Sequence, residues 1–129
     1  MRYLTGYDAH ALERLTCLVV PADGPCTIVV PRLEVAAARD GMAPELPVDI
    51  VGWDELDDPY ALTAQFVSRD LGPIGVDDRM WAMQALRLGA AMPDSAQTVA
   101  STVLSPLRMR KSPAEVQALL DVGAAIDRV

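Results

Sequence analysis

Apolar residues along the chain come in short runs broken by turn-forming residues, and the spacing inside each run predicts its element. Leu15 to Val20 is a β-rich run, followed by Pro21-Ala22-Asp23-Gly24-Pro25 and a second run from Thr27 to Val30. Two β-rich runs around an Asp-Gly turn predict a hairpin. Leu33 to Arg39 predicts a helix of about two turns, with Leu33, Ala36 and Ala37 on one face and Gly41 at its end. Leu46 to Val51 returns to strand character. Asp57-Asp58-Pro59 then offers carboxylate caps and a proline at the first helical position, predicting a helix from Pro59 to about Asp70 with Leu62, Phe66 and Val67 inward.

Ile74-Gly75-Val76 predicts a short buried strand, and Asp77-Asp78 predict caps for a helix with Trp81, Ala85 and Leu88 at helical spacing that ends over Gly89 to Pro93. Thr98 and Val99 fit one more strand, with a turn of helix from Ser101 through Leu104. Ser112-Pro113-Ala114-Glu115 has the composition of a capping box, and Val116, Leu119, Leu120, Gly123 and Ile126 form one apolar stripe behind it. Strands alternating with helices after an opening hairpin give an α/β domain with a mixed β-sheet flanked by helices. The last helix meets no glycine or proline terminator, which predicts a chain that continues beyond Val129.

The 129 residues suit a single domain, and 51% hydrophobic residues supply enough apolar surface for a core. Eighteen acids against eleven bases leave a net charge of -7, which opposes binding to nucleic acid or to anionic lipid. No apolar run approaches the roughly 20 residues of a spanning helix, and the first residues lack a signal peptide's apolar segment, so a cytoplasmic location is expected. Ten of the eleven bases are arginine, a skew expected of a GC-rich bacterial genome. If Val20 faces Cys26 in the hairpin, Cys17 falls opposite Val29, which predicts two free thiols.

Three stretches together resemble the N-terminal domain of the creatinase/prolidase/aminopeptidase P ("pita-bread") metallopeptidases. Arg2-Tyr3-Leu4-Thr5-Gly6-Tyr7 with Glu13-Arg14 is similar to the family's Y-L-T-G-F … E-R run. Ile74-Gly75-Val76-Asp77 resembles its I-G-V-E strand and helix start. Leu107-Arg108-Met109-Arg110-Lys111-Ser112-Pro113-Ala114-Glu115-Val116 is close to its L-R-x-x-K-S-x-x-E-[IV] junction. The resemblance implies a ribonuclease-H-like domain over residues 1–111, and a junction helix over 112–129 that leads into a catalytic domain. It further implies an X-Pro peptidase or a creatinase, with an N-terminal domain that helps dimerisation and limits access to the active site. The family's metal ligands, two aspartates, a histidine and two glutamates, lie in the catalytic domain, where two divalent ions are expected. No position here matches those motifs, so the resemblance brings no catalytic residue, metal ligand or cofactor to this chain. Family members usually have a strand upstream of the Y-L-T-G run; a chain beginning at that run would leave a sheet edge free to pair.

The candidate site is correspondingly thin. The lone His10, on a polar loop, reads most simply as a solvated or hydrogen-bonding side chain; through the resemblance, Tyr7 and His10, with Arg14 beside them, would instead face the active-site mouth of a neighbouring subunit in a homodimer. Arg14 reads more simply as a tie from the loop to a carboxylate. Asp54, Glu55, Asp57 and Asp58 lack the spacing of a calcium loop and read as helix caps. No G-x-S-x-G elbow or phosphate loop occurs, and Arg108, Arg110 and Lys111 read as a solvated junction. The alternative to an accessory domain is a stand-alone small α/β ligand-binding or regulatory protein without catalytic activity.

Overall fold

The computed structural model describes residues 1–9, 13–68 and 72–128. The hairpin forms as β1 (Cys17–Val19) and β2 (Cys26–Pro31), antiparallel and in the register expected from the turn, with Cys17 opposite Val29. β3 (Val48–Trp53) adds to the other side of β2 in parallel, which makes this three-stranded sheet mixed. β4 (Ile74–Val76) and β5 (Gln97–Val99) pair in parallel as a second, two-stranded sheet.

β2 is the centre of the molecule. Thr27 through Pro31 are all buried, so the strand shows no in-and-out alternation, as expected where both faces of a sheet are covered. On one face Ile28 and Val30 pack with Tyr7 and Ala38. A second cluster gathers Leu15, Tyr60, Ala64, Leu88 and Met92, with Cys17 and Ile74 against it. At the end of β3, Trp53 donates its indole N–H to the Leu15 carbonyl at 2.9 Å, tying the sheet to the segment before β1.

Six helices complete the described fold. α1 (Arg2–Thr5) is too short for periodicity to reveal, and it ends on Gly6, whose φ of 84° belongs to the left-handed region. A 3-10 turn at Arg32–Glu34 precedes α2 (Val35–Gly41). That tighter turn rotates the following residues, so Val35 and Ala38 point inward. Leu33 is 84% exposed and Ala36 and Ala37 face solvent, the reverse of the face expected from sequence.

β3 begins and ends two residues later than the run from Leu46 suggested, because Pro47 offers no ladder N–H and Gly52 and Trp53 continue the pairing with β2. α3 (Pro59–Ala64) is shorter than expected and buries Tyr60, Thr63 and Ala64; Leu62, Phe66 and Val67 are only half-buried. Its cap is as expected, with the Asp58 carboxylate accepting from the Tyr60 and Ala61 N–H groups at 2.9 and 3.1 Å. Residues 65 to 67 continue as tight turns bonded three residues back. Asp70 lies outside the described residues.

β4 is half-exposed rather than buried, since β5 covers one of its edges and no third strand joins them among the described residues. α4 (Ala82–Ala91) starts too late for Asp77 and Asp78 to cap it. Asp77 closes its own turn on Arg79 and Met80. Trp81 sits at the N-cap position 48% exposed, and Gln84 and Leu88 carry the burial. Asp78 instead accepts from the Ser101 N–H at 3.1 Å, capping α5 (Ser101–Met109). α5 runs well past Leu104 and through Pro106. α6 (Pro113–Ile126) opens on the expected capping box, Ser112 accepting from the Glu115 N–H and Glu115 from the Ser112 N–H. Its whole apolar stripe is uncovered, with Val116, Leu119, Leu120 and Ile126 between 44% and 68% exposed.

Candidate functional site

The candidate loop begins at Tyr7, and its backbone N–H donates to the Thr5 hydroxyl at 3.2 Å. The Tyr7 ring is not a surface group. It is 7% exposed, packs with Ile28, Val30 and Ala38, and lies so close to Gly41 that a Cβ there would come within 2.8 Å of the ring. Burial raises the Tyr7 phenol above its ordinary pKa, and the nearby Glu34 carboxylate raises it further. Asp8 pairs with Arg2 at 3.3 Å in solvent. His10 lies outside the described residues. Past it, the Glu13 carbonyl accepts from the Gln84 amide at 3.4 Å, and Arg14 pairs with Glu55 at 2.7 Å. Arg14 thus ties the loop to a carboxylate, as its position suggested.

The acidic turn after β3 is fully engaged in local structure. Arg32 donates its Nε–H to both Asp54 oxygens at 2.7 Å, and this contact holds the Asp54 carboxyl below the usual range. Asp57 accepts from the Asp54 N–H at 2.7 Å, Glu55 meets Arg14, and Asp58 caps α3. Among the described residues no three histidine, cysteine or acidic side chains converge on a point that would suit a metal ion. Two shallow depressions, of ≈ 280 and ≈ 270 Å³, lie beside α6 and beside the hairpin turn. Neither brings a nucleophile to a base.

Both cysteines are free thiols. Desolvation pushes the Cys17 thiol up to about 11, opposed weakly by the amino terminus. The thiolate is the reactive form, so at pH 8 iodoacetamide is expected to modify Cys17 far more slowly in the folded chain than after unfolding. Peptide mapping over time checks this; equal rates of Cys17 labelling in the folded and unfolded chain would contradict its packing against the Leu15 cluster.

Sequence reasoning missed the packing of Tyr7 into the core and the two-oxygen grip of Arg32 on Asp54. The first had no clear signal, since Tyr3, four residues before it, is exposed, and the inward turn follows the left-handed Gly6. The second had none, because Arg32 and Asp54 meet only through the parallel pairing of β2 and β3.

Among the described residues no nucleophile meets a base and no metal-binding group forms. The sequence model of the creatinase/prolidase N-terminal domain matches residues 1–110. The probable dipeptidase PepE of Mycobacterium tuberculosis is 42% identical over 127 residues, which is 98% of this chain and 34% of that protein. The Xaa-Pro dipeptidase of Lactobacillus helveticus is 29% identical over 134 residues, 97% of this chain and 34% of its own length. Among solved structures, the dipeptidase PepE of Mycobacterium ulcerans superposes with a TM-score of 0.89 at 44% identity, covering 98% of this chain and 34% of that one. The chain therefore spans about a third of the length of the curated relatives it matches. It belongs to the creatinase/prolidase N-terminal domain family.

Proposed function

We propose that this chain is the accessory, non-catalytic domain of a metal-dependent dipeptidase that cleaves X-Pro bonds, contributing to dimerisation and to limiting substrate access. The observation that carries the reading is the match to the N-terminal third of dipeptidases over nearly the whole chain. Residues 1–111 form the domain and 112–129 the junction helix. The bare apolar stripe of α6 supports a catalytic domain packed against it, since a stripe of this width is the pattern of a core-facing helix. Two divalent metal ions belong to that catalytic domain, and the whole enzyme works in the cytoplasm.

With Tyr7 turned into the core, Asp8 and Arg14 are exposed on either side of His10, which lies outside the described residues. The access role in a homodimer is assigned to the 7–14 segment. Tyr7 packed in the core on one side and the Arg14–Glu55 pair on the other anchor the two ends of that segment.

The chain alone is expected to release no proline from an X-Pro dipeptide in the presence of manganese, followed by a colorimetric proline assay. Turnover that survives rigorous repurification would overturn the accessory reading and demand a nucleophile or metal site within these residues.

A further inference from the structure

Two stretches at opposite ends of the sequence meet in the fold. The Tyr3 hydroxyl of α1 reaches the Leu107 carbonyl near the end of α5 at 3.5 Å, and the Arg108 guanidinium lies over the Tyr3 ring, 5.7 Å from its centroid. Within α5 only Ser101 and Leu104 are even half-buried. The helix is fixed at its start, where Asp78 accepts from the Ser101 N–H, and its last turn has Tyr3 for support. α5 is nine residues, or about 13 Å, long, so small rotations at Ser101 move its far end appreciably.

The link from α5 to α6 is stiff. Residues 110–112 connect the two helices, with Arg110 extended, Ser112 held extended ahead of Pro113, and the Lys111 ammonium donating to the Arg108 carbonyl. The capping box then fixes the first turn of α6. A rigid elbow passes any swing of α5 directly to α6, whose side chains are almost all exposed and give it little other support.

We infer that the Tyr3–Arg108 contact is a latch that sets the direction in which α6 leaves the domain. Tyr3 and Arg108 are positioning residues: they touch no substrate, and they act through α5. Ring and guanidinium supply the attraction, and the long hydroxyl contact adds little. If the catalytic domain comes after α6, which rests on the function proposed for the chain, the latch also fixes how the two domains face each other.

The test uses this chain itself. Spin labels at Ala36→Cys on α2 and Ala118→Cys on α6, in a Cys17→Ala, Cys26→Ser background, report the distance from body to arm by pulsed electron resonance in dilute sample. The parent should give one narrow peak. Tyr3→Ala and Arg108→Gln should each lose it to a broad distribution, their combination should broaden it no further, and Tyr3→Phe should keep it. Melting of the body followed by circular dichroism should be unmoved in Arg108→Gln, which separates a latch from a general structural loss. A parent that is already broad, or a narrow peak that survives Arg108→Gln, overturns the proposal. Should Tyr3→Ala fail to fold, Arg108→Gln and Tyr3→Phe still decide. The measurement needs no catalytic domain, so its failure is distinguishable from a failure of the hydrolysis test.

Discussion

Replacing Trp53 with alanine is expected to destabilise the fold by about 3–5 kcal/mol, the range for removing a large aromatic from a core. Trp53 is 7% exposed and closes the end of β3. Its indole also supplies the hydrogen bond to the carbonyl of Leu15, itself 2% exposed. The substitution therefore opens a cavity and strands a buried acceptor together. Trp53→Phe separates the two effects: most of the ring packing stays, the donor goes, and a loss of about 1–3 kcal/mol is expected from the unsatisfied carbonyl. Urea unfolding followed by far-ultraviolet circular dichroism measures both. A Trp53→Phe variant as stable as the parent would mean that the hydrogen bond contributes nothing net.

Ile28→Ala should cost about 2–5 kcal/mol, and Ile28→Val about 0.5–1.5 kcal/mol. Ile28 is fully buried, with Tyr7, Val30 and Ala38 in its cluster. Both neighbouring strands hold it in register, Leu18 on one side and Ile50 on the other, so the backbone has little freedom to collapse into the space. This argues for the upper half of the range for alanine. Against a total stability on the order of 5–15 kcal/mol, either Ile28→Ala or Trp53→Ala would leave a marginal domain. An unchanged urea midpoint for Ile28→Ala would refute the central placement of β2.

The elements legible in the sequence were those specified by local chemistry. The Asp23-Gly24 turn set the hairpin and its register, Asp58-Pro59 set the start of α3, and Ser112 to Glu115 set the start of α6. Each signal lies within a few residues of what it controls. Misread features depended on contacts distant in sequence. Asp78 follows a strand and precedes a helix, which makes it read as that helix's cap, yet its partner is Ser101. Leu33 reads as the start of an inward face, but the 3-10 turn rotates it into solvent. The turn of helix expected from Ser101 through Leu104 instead runs on through Pro106 to Met109, with Asp78 holding one end and Tyr3 meeting the other. The candidate site was legible only in part for the same reason: the chemistry of Arg14 suggested a carboxylate partner but could not single out Glu55, far along the chain, and the destination of the Tyr7 ring depends on its packing against β2 and α2.

The position of β2 has a consequence for how the domain opens. Its amides are bonded to a strand on each side, and its side chains are covered on each face. Fraying at either sheet edge uncovers β1 or β3 first and leaves the middle strand paired. Hydrogen exchange at Ile28 to Val30 is therefore expected to report the free energy of unravelling the whole domain, and the exposed arm of α5 and α6 to exchange through openings of its own.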